Sequence, residues 1–217
     1  MRSLISTVND LLTPAHVIFW DFDGVIKDSI DVKTEAFAEM FVQFGSTVTN
    51  RVRQHHESHG GVPRFEKIPL YMGWAGINAT PQSVREYCEK FSKVVVKAVI
   101  DSPWVPGIID YLQDHAGEQY FVLVTATPQI EIEDILSALN ISQYFREVHG
   151  APVEKSRVIE EVLLRRKCSS SDALAIGDSV TDLRAAQANS VPFLLRRTPF
   201  NCSLQADSEG MMVDDFN

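Results

Sequence analysis

Val17-Ile18-Phe19-Trp20-Asp21-Phe22-Asp23-Gly24 is an apolar run that ends in two carboxylates one residue apart. Consecutive apolar residues over this length suit a parallel strand buried on both faces. Alternation along an extended chain puts Asp21 and Asp23 on the same side. Two like charges this close repel, and burial raises the penalty further. A divalent cation offsets both. The stretch therefore reads as a metal site with a nucleophilic or acid/base carboxylate at a strand's carboxyl end. An Asp-rich turn is the competing account, because Asp and Gly both favour turns. The rest of the chain decides between them.

Downstream, the pattern changes period. Ala36, Phe37, Met40, Phe41 and Phe44 recur at helical spacing, with Gly45 as the expected stop. Helical character returns over Arg64–Met72 and Pro81–Ile100, with Pro81 placed for a first turn. No buried-type strand stands between residues 31 and 100, so this region reads as an all-helical insert. Asp101-Ser102-Pro103-Trp104-Val105-Pro106-Gly107 is a linker back to the core. A β/α rhythm follows: helix 108–115, strand 120–124, a helix carrying Ile132, Ile135, Leu136 and Leu139, and a short strand at 147–149. Then come a helix carrying Val158, Ile159, Val162 and Leu163, and strands at 173–176 and 191–195. This alternation predicts an α/β fold with a doubly wound parallel sheet, Rossmann-like, and an all-helical insert after the first strand. The expected division is a core of 1–28 and 104–217 with the insert over 29–103. Residues 1–13 read as a short helix or irregular lead-in, and the tail 196–217 is too weakly patterned to assign.

The 217 residues can hold one sizeable domain or a core with an insert. The net charge of −9 argues against general binding to nucleic acid or to anionic membrane. Cys88, Cys168 and Cys202 are scattered and odd in number, which suits a reducing compartment rather than a disulfide framework. The first ten residues lack the apolar core of a signal peptide, and no stretch reaches the roughly 18 apolar residues of a membrane span. The expected location is cytoplasmic.

Each proposed core strand is followed by chemistry. Asp21 and Asp23 follow the first. Thr125-Ala126-Thr127 follows the second, Gly150-Ala151-Pro152-Val153-Glu154-Lys155 the third, and Gly177-Asp178-Ser179-Val180-Thr181-Asp182 the fourth. In a parallel sheet these loops converge beyond the carboxyl ends of the strands. Carboxylates, a hydroxyl and an ammonium are what is needed to attack, neutralise and hold a phosphoryl group.

These residues, in this order, resemble the haloacid dehalogenase (HAD) superfamily of phosphohydrolases from about residue 17 to 195. The motifs stand as Asp21-Phe22-Asp23-Gly24-Val25, Thr125, Lys155, and Gly177-Asp178 with Asp182. The insert resembles the small helical cap of the subclass that includes phosphoglycolate phosphatase and β-phosphoglucomutase. The resemblance implies Asp21 as nucleophile, forming an aspartyl-phosphate, and Asp23 as acid and then base. It implies Mg²⁺ held by the Asp21 carboxylate, the Asp23 backbone carbonyl and Asp178, with Asp182 assisting through a water or steadying Lys155. Thr125 and the Ala126 N–H would grip the phosphoryl oxygens, and Lys155 would neutralise charge. Asp23 favours phosphoryl transfer over dehalogenation, since dehalogenases proper lack an acid/base aspartate there. The expected activity is a Mg²⁺-dependent phosphatase acting on a small phosphorylated metabolite. The alternatives are a phosphoglucomutase-type transferase and a catalytically silent binding protein. A phosphonatase needs a cap lysine for Schiff-base chemistry, and none stands out in sequence.

Within the insert, Gly60-Gly61-Val62-Pro63-Arg64 precedes a helix that carries Lys67 one turn later. A glycine-rich turn with two cations on one face can bind an anion, and in β-phosphoglucomutase-like proteins a Gly-Val-x-Arg segment contacts the non-reacting end of the substrate. Arg64 and Lys67 are thus either substrate-binding residues or solvated surface charges. His55 and His59 are spaced i, i+4, but Glu57 completes no HExxH motif, so a structural or substrate-facing role is expected. Asp28 and Ser29 are candidates for a hinge or for a helix cap.

Overall fold

The computed structural model of the chain describes residues 8–207 and 210–217. The expectations for residues 1–7 lie outside the described residues. A short helix α1 (Val8–Leu12) leads to β1 (Val17–Trp20). Four helices follow: α2 (Ile30–Met40), α3 (Ser46–Ser58), α4 (Arg64–Trp74) and α5 (Pro81–Asp101). Then come α6 (Ile108–His115), β2 (Tyr120–Pro128), α7 (Gln129–Ala138), β3 (Glu147–Ala151), α8 (Lys155–Arg166) and β4 (Ala173–Gly177). The chain closes with α9 (Val180–Ala188), β5 (Phe193–Arg196), α10 (Cys202–Asp207) and β6 (Met211–Val213).

The strands form one six-stranded, all-parallel sheet in the order β3-β2-β1-β4-β5-β6. Strand order reverses between β1 and β4, and crevices of this kind are where open α/β sheets bind ligands. The first stretch quoted above therefore ends at the switch point: Trp20 stands opposite Leu123 on one side and Ile176 on the other. The ladder runs one residue further, with the Asp21 N–H donating to the Ile176 carbonyl at 2.9 Å.

β1 is apolar throughout because both faces are covered. Ile18 and Trp20 enter one core with Phe121, Leu123, Leu174 and Ile176. Val17 and Phe19 enter the other, against Val158, Ile159 and Val162 of α8 and Ala185 and Ala186 of α9. Period-two alternation sorts each strand's residues between the two layers. Trp20 packs edge-on to Phe121 and Phe216, so the far end of the chain is pinned beneath the first strand.

Three local expectations change. The helix expected to stop at Gly45 ends at Met40, and a single 3₁₀ turn (Val42–Phe44) fills the gap before Gly45, whose φ is +91°. Thr125, expected just past a strand, lies within β2, which continues through a register shift to Pro128. α3 lacks a sequence signal because its buried positions are Thr49, Val52 and His56, not an apolar stripe. The unassigned tail supplies α10 and the edge strand β6.

The insert leaves and rejoins the sheet through paired backbone. The Asp28 N–H donates to Pro103 at 2.8 Å and the Val105 N–H to Ile26 at 3.1 Å. Lys27, buried between the two passages, donates to the Ile100 carbonyl and lies over the Trp104 ring. No helix among the described residues is long and apolar enough to cross a membrane.

Candidate active site

Asp21 lies one residue past β1 and is buried, 6 % exposed. Lys155, the first residue of α8, reaches its Oδ1 at 2.8 Å and Asp182 Oδ1 at 2.5 Å. Asp182 is in turn fixed by the start of α9, where the Ser179 hydroxyl donates to its Oδ2 at 2.5 Å and the Ser179 N–H at 3.2 Å. The two residues form a capping box, so helix geometry aims the carboxylate at Lys155. Burial alone would lower the Lys155 pKa, but Asp182 and Asp21 together raise it above the ordinary lysine range.

Carboxylate oxygens of Asp21, Asp178 and Asp182 lie within 4.8 Å of one another. Burial first, and then Asp182, push Asp21 up to about 7 despite Lys155. Burial and the Asp21 charge push Asp178 well above the carboxylate range. Crowded, desolvated carboxylates that resist ionising are relieved by a bound cation, and an all-oxygen donor set suits a hard one. Asp21 and Asp178 fit this demand. Both Asp182 oxygens are already engaged by Lys155 and Ser179. Gly24, at φ +77°, brings the backbone so close to Asp178 that a Cβ there would overlap its carboxylate.

Asp23 is held differently. Ser29 donates to its Oδ1 at 2.6 Å, Thr127 to its Oδ2 at 3.2 Å, and Lys33 forms an ion pair with Oδ2. Burial would raise the Asp23 pKa, but Lys33 and these hydrogen bonds leave it below the ordinary value. Lys33 also donates to Thr127 at 2.9 Å. The Ser29 hydroxyl thus serves Asp23 and makes no cap bond to α2.

Asp21, Asp23, Asp178, Thr125, Ala126, Arg64 and Lys67 all line one cavity between the sheet edge and the insert, and Lys155 supports it from below. Two lysines of the insert line this cavity: Lys67, which the sequence offers as an anion-binding candidate, and Lys33, which it does not. Their approach depends on how α2 and α4 fold over the sheet. Arg64 is turned aside: its guanidinium grips Glu131 of α7 with two hydrogen bonds, one of them 2.8 Å, and donates to Ser92 at 2.7 Å. Lys67 is fully buried beside His56 Nδ1 at 2.9 Å, and burial followed by Lys33 pushes it down to about 7. Burial and Lys67 also hold His56 well below the ordinary histidine range. His55 contacts the Tyr71 hydroxyl at 3.0 Å and stacks on His59, away from the carboxylates. The turn before α4 is seated on the core, where Gly61 leaves no room for a Cβ against the Thr181 and Ser179 hydroxyls.

Sequence reasoning missed Lys33 and Glu131. It read Ser29 only as a hinge or cap candidate and noted Thr127 only beside Thr125, although alternation puts the two threonines on the same side.

A sequence model of the haloacid dehalogenase-like hydrolases matches residues 17–195. The chain belongs to this family. It is 22 % identical over 194 residues to the 2-hydroxy-3-keto-5-methylthiopentenyl-1-phosphate phosphatase of Microcystis aeruginosa, covering 82 % of this chain and 84 % of that protein. It is 25 % identical over 190 residues to phosphoglycolate phosphatase 1 of Pseudomonas aeruginosa, covering 81 % of this chain and 67 % of the relative. Among solved structures, CbbY from Rhodobacter sphaeroides in complex with phosphate superposes with a TM-score of 0.74 at 16 % identity, covering 93 % of this chain and 95 % of that one. A haloacid dehalogenase-like family protein from Streptococcus pneumoniae gives 0.68 at 19 %, covering 93 % and 95 %.

Proposed function

We propose that this phosphohydrolase removes the phosphoryl group of a small phosphorylated metabolite through an aspartyl-phosphate on Asp21. The carrying observation is the Asp21 carboxylate itself: buried at the β1/β4 switch point, tied to Lys155 at 2.8 Å, and lining one cavity with Asp23. Asp21 attacks phosphorus and the bond to the leaving oxygen breaks. Asp23 gives that oxygen its proton, which requires the Lys33 pairing to loosen. As a carboxylate, Asp23 then takes a proton from water, the water oxygen attacks phosphorus, and the Asp21–phosphorus bond breaks to free inorganic phosphate. Lys155 favours the anionic form of Asp21 against burial and the Asp182 charge. Thr125 and the Ala126 N–H hold phosphoryl oxygens.

The Asp21 and Asp178 carboxylates and the Asp23 backbone carbonyl would hold Mg²⁺. When bound, Mg²⁺ supplies charge neutralisation between these carboxylates and the phosphoryl group. The helical insert, residues 29–103, acts as a cap that excludes bulk water. The relatives named as phosphatases support the reaction class.

The test is phosphate release from a panel of phosphorylated metabolites, with and without Mg²⁺, using Asp21→Asn as the blank. Mg²⁺-dependent release that the variant loses supports the reading. Transfer of phosphate to a sugar hydroxyl rather than to water would replace it with the mutase reading, and full activity in Asp21→Asn would sink both.

A further inference from the structure

The insert brings three cations to the cavity, Lys33, Arg64 and Lys67. A second anionic group on a substrate would need one of them free. Lys33 is bound to Asp23 and Thr127. Lys67 is enclosed with His56 and the Gly60 carbonyl, and burial favours its uncharged form. Arg64 is engaged at both terminal nitrogens and on one face. Two nitrogens hold Glu131, one also holds Ser92, and the guanidinium lies 4.5 Å over the Phe91 ring. Arg64 and Glu131 are both buried, at 5 % and 8 % exposure. The rest of the upper wall is apolar, formed by Ile30, Phe37, Val62 and Phe91.

We propose that Glu131 is a specificity-determining residue: by neutralising Arg64 it makes the cavity select monophosphates with an uncharged leaving group over substrates that carry a second anionic group. This rests on the phosphatase reading above. An incoming carboxylate or second phosphate would have to take Arg64 from a complete ion pair, leaving Glu131 buried and unpaired. It would also sit near Asp23 and Asp178, and like-charge juxtaposition of this kind is a strong rejecting device. Glu131 acts through Arg64 and touches no reacting atom, so its role is positioning. It stands in the first turn of α7, directly against Arg64 of α4, so the selection is shared between insert and core.

The experiment compares glycerol 1-phosphate with 3-phosphoglycerate, which replaces a CH₂OH group with a carboxylate, as kcat/KM with Mg²⁺. The unsubstituted protein is expected to favour glycerol 1-phosphate by about tenfold or more. Glu131→Gln, which frees the Arg64 charge, is expected to shift that ratio about tenfold toward 3-phosphoglycerate, mainly through its KM. Glu131→Asp restores the original order. A merely structural Glu131 would lower both substrates together, and that result overturns the proposal, as does a preference of the unsubstituted protein for 3-phosphoglycerate. Failure of the phosphatase reading has a different signature, an absence of Asp21-dependent release from either compound. Calorimetric binding of both compounds to Asp21→Asn then still reads the discrimination, and equal affinities would overturn it.

Discussion

Two buried lysines, one beneath the cavity and one in its upper wall, are driven in opposite directions. Lys155, under the sheet edge, meets Asp21 and Asp182 and is held charged. Lys67, in the insert, meets a neutral histidine and is pushed toward the free amine. Burial penalises the ammonium at both places, and only the partner differs. The same contrast separates the two walls. The lower wall concentrates negative charge that a cation can answer, whereas the upper wall cancels its charges in private pairs, Lys33 with Asp23 and Arg64 with Glu131. On the function proposed here, the lower wall receives the reacting phosphoryl group, and the upper wall excludes water and sorts leaving groups.

The sharpest way to break this comparison is at Asp21. Asp21→Asn should lower kcat by about 10⁴-fold or more while leaving the melting curve cooperative, because removal of a nucleophile abolishes a covalent step. Residual activity within tenfold of the parent would show that the lower wall does not supply the attacking group.

Lys155→Met should reduce kcat by about 10²–10³-fold, the scale of losing one electrostatic stabiliser. It should also destabilise the protein by about 3–5 kcal/mol, since Asp21 and Asp182 are left buried without their cation. Chemical denaturation reads the second effect, and added Mg²⁺ should recover part of it through binding to the native state. A stability loss within error of zero would mean that the carboxylates are not strained.

Lys33→Met tests the contact between the walls. Losing the ammonium raises the pKa of Asp23, which must be protonated to act as the acid in the step that kcat/KM reports, so the basic limb of the kcat/KM profile should move to higher pH. An unmoved limb would indicate that another group carries that titration.

Lys67→Met should act least on the rate and chiefly on stability. The Lys67 pKa is about 7 in the folded chain against 10.5 unfolded. The unfolded state therefore binds more protons between these values, and the contribution of Lys67 to stability is present above 10.5 and lost as pH falls toward 7. The parent should gain stability as pH rises from 7 to 10, with a Lys67 share of up to about 1.4 kcal/mol per pH unit, the value for one whole proton. The Lys67→Met protein should lack that share and be the more stable of the two at pH 7. Parallel stability curves for the two proteins would contradict the assignment of Lys67 as an unpaired buried amine.

The lower wall was legible because its parts are local. A run such as Val17–Trp20 suits a strand covered on both faces, and parallel strands deliver whatever follows them to one edge. Asp21, Thr125, Lys155 and Asp178 are each one short step from a strand or helix boundary, so finding the boundaries placed the residues. Asp182 entered through the Gly177-Asp178 motif, and the structure adds its capping box with Ser179. The family resemblance rested on these positions, as did the parallel sheet.

The upper wall depends on distance in sequence. Lys33 and Thr127 are 94 residues apart, and Arg64 and Glu131 are 67 apart. Nothing in the periodicity of α2, α4 or α7 states that these side chains meet. Sequence showed that Arg64 and Lys67 share a helix face after a glycine-rich turn, but a cation's availability depends on what is opposite it. Glu131 stands opposite Arg64, and only the packing of the insert on the core puts it there. The tail is a similar case. Its polar residues hide one useful pattern, Met211–Val213, which becomes a strand because β5 offers an open edge beside it. Sequence by itself determined the sheet, the order of its strands' chemistry and the acidic site, since short-range periodicity and strand polarity suffice for these. Tertiary structure alone decided which charges remain free to meet a substrate, because ionisation and pairing depend on neighbours that the chain brings together only when folded.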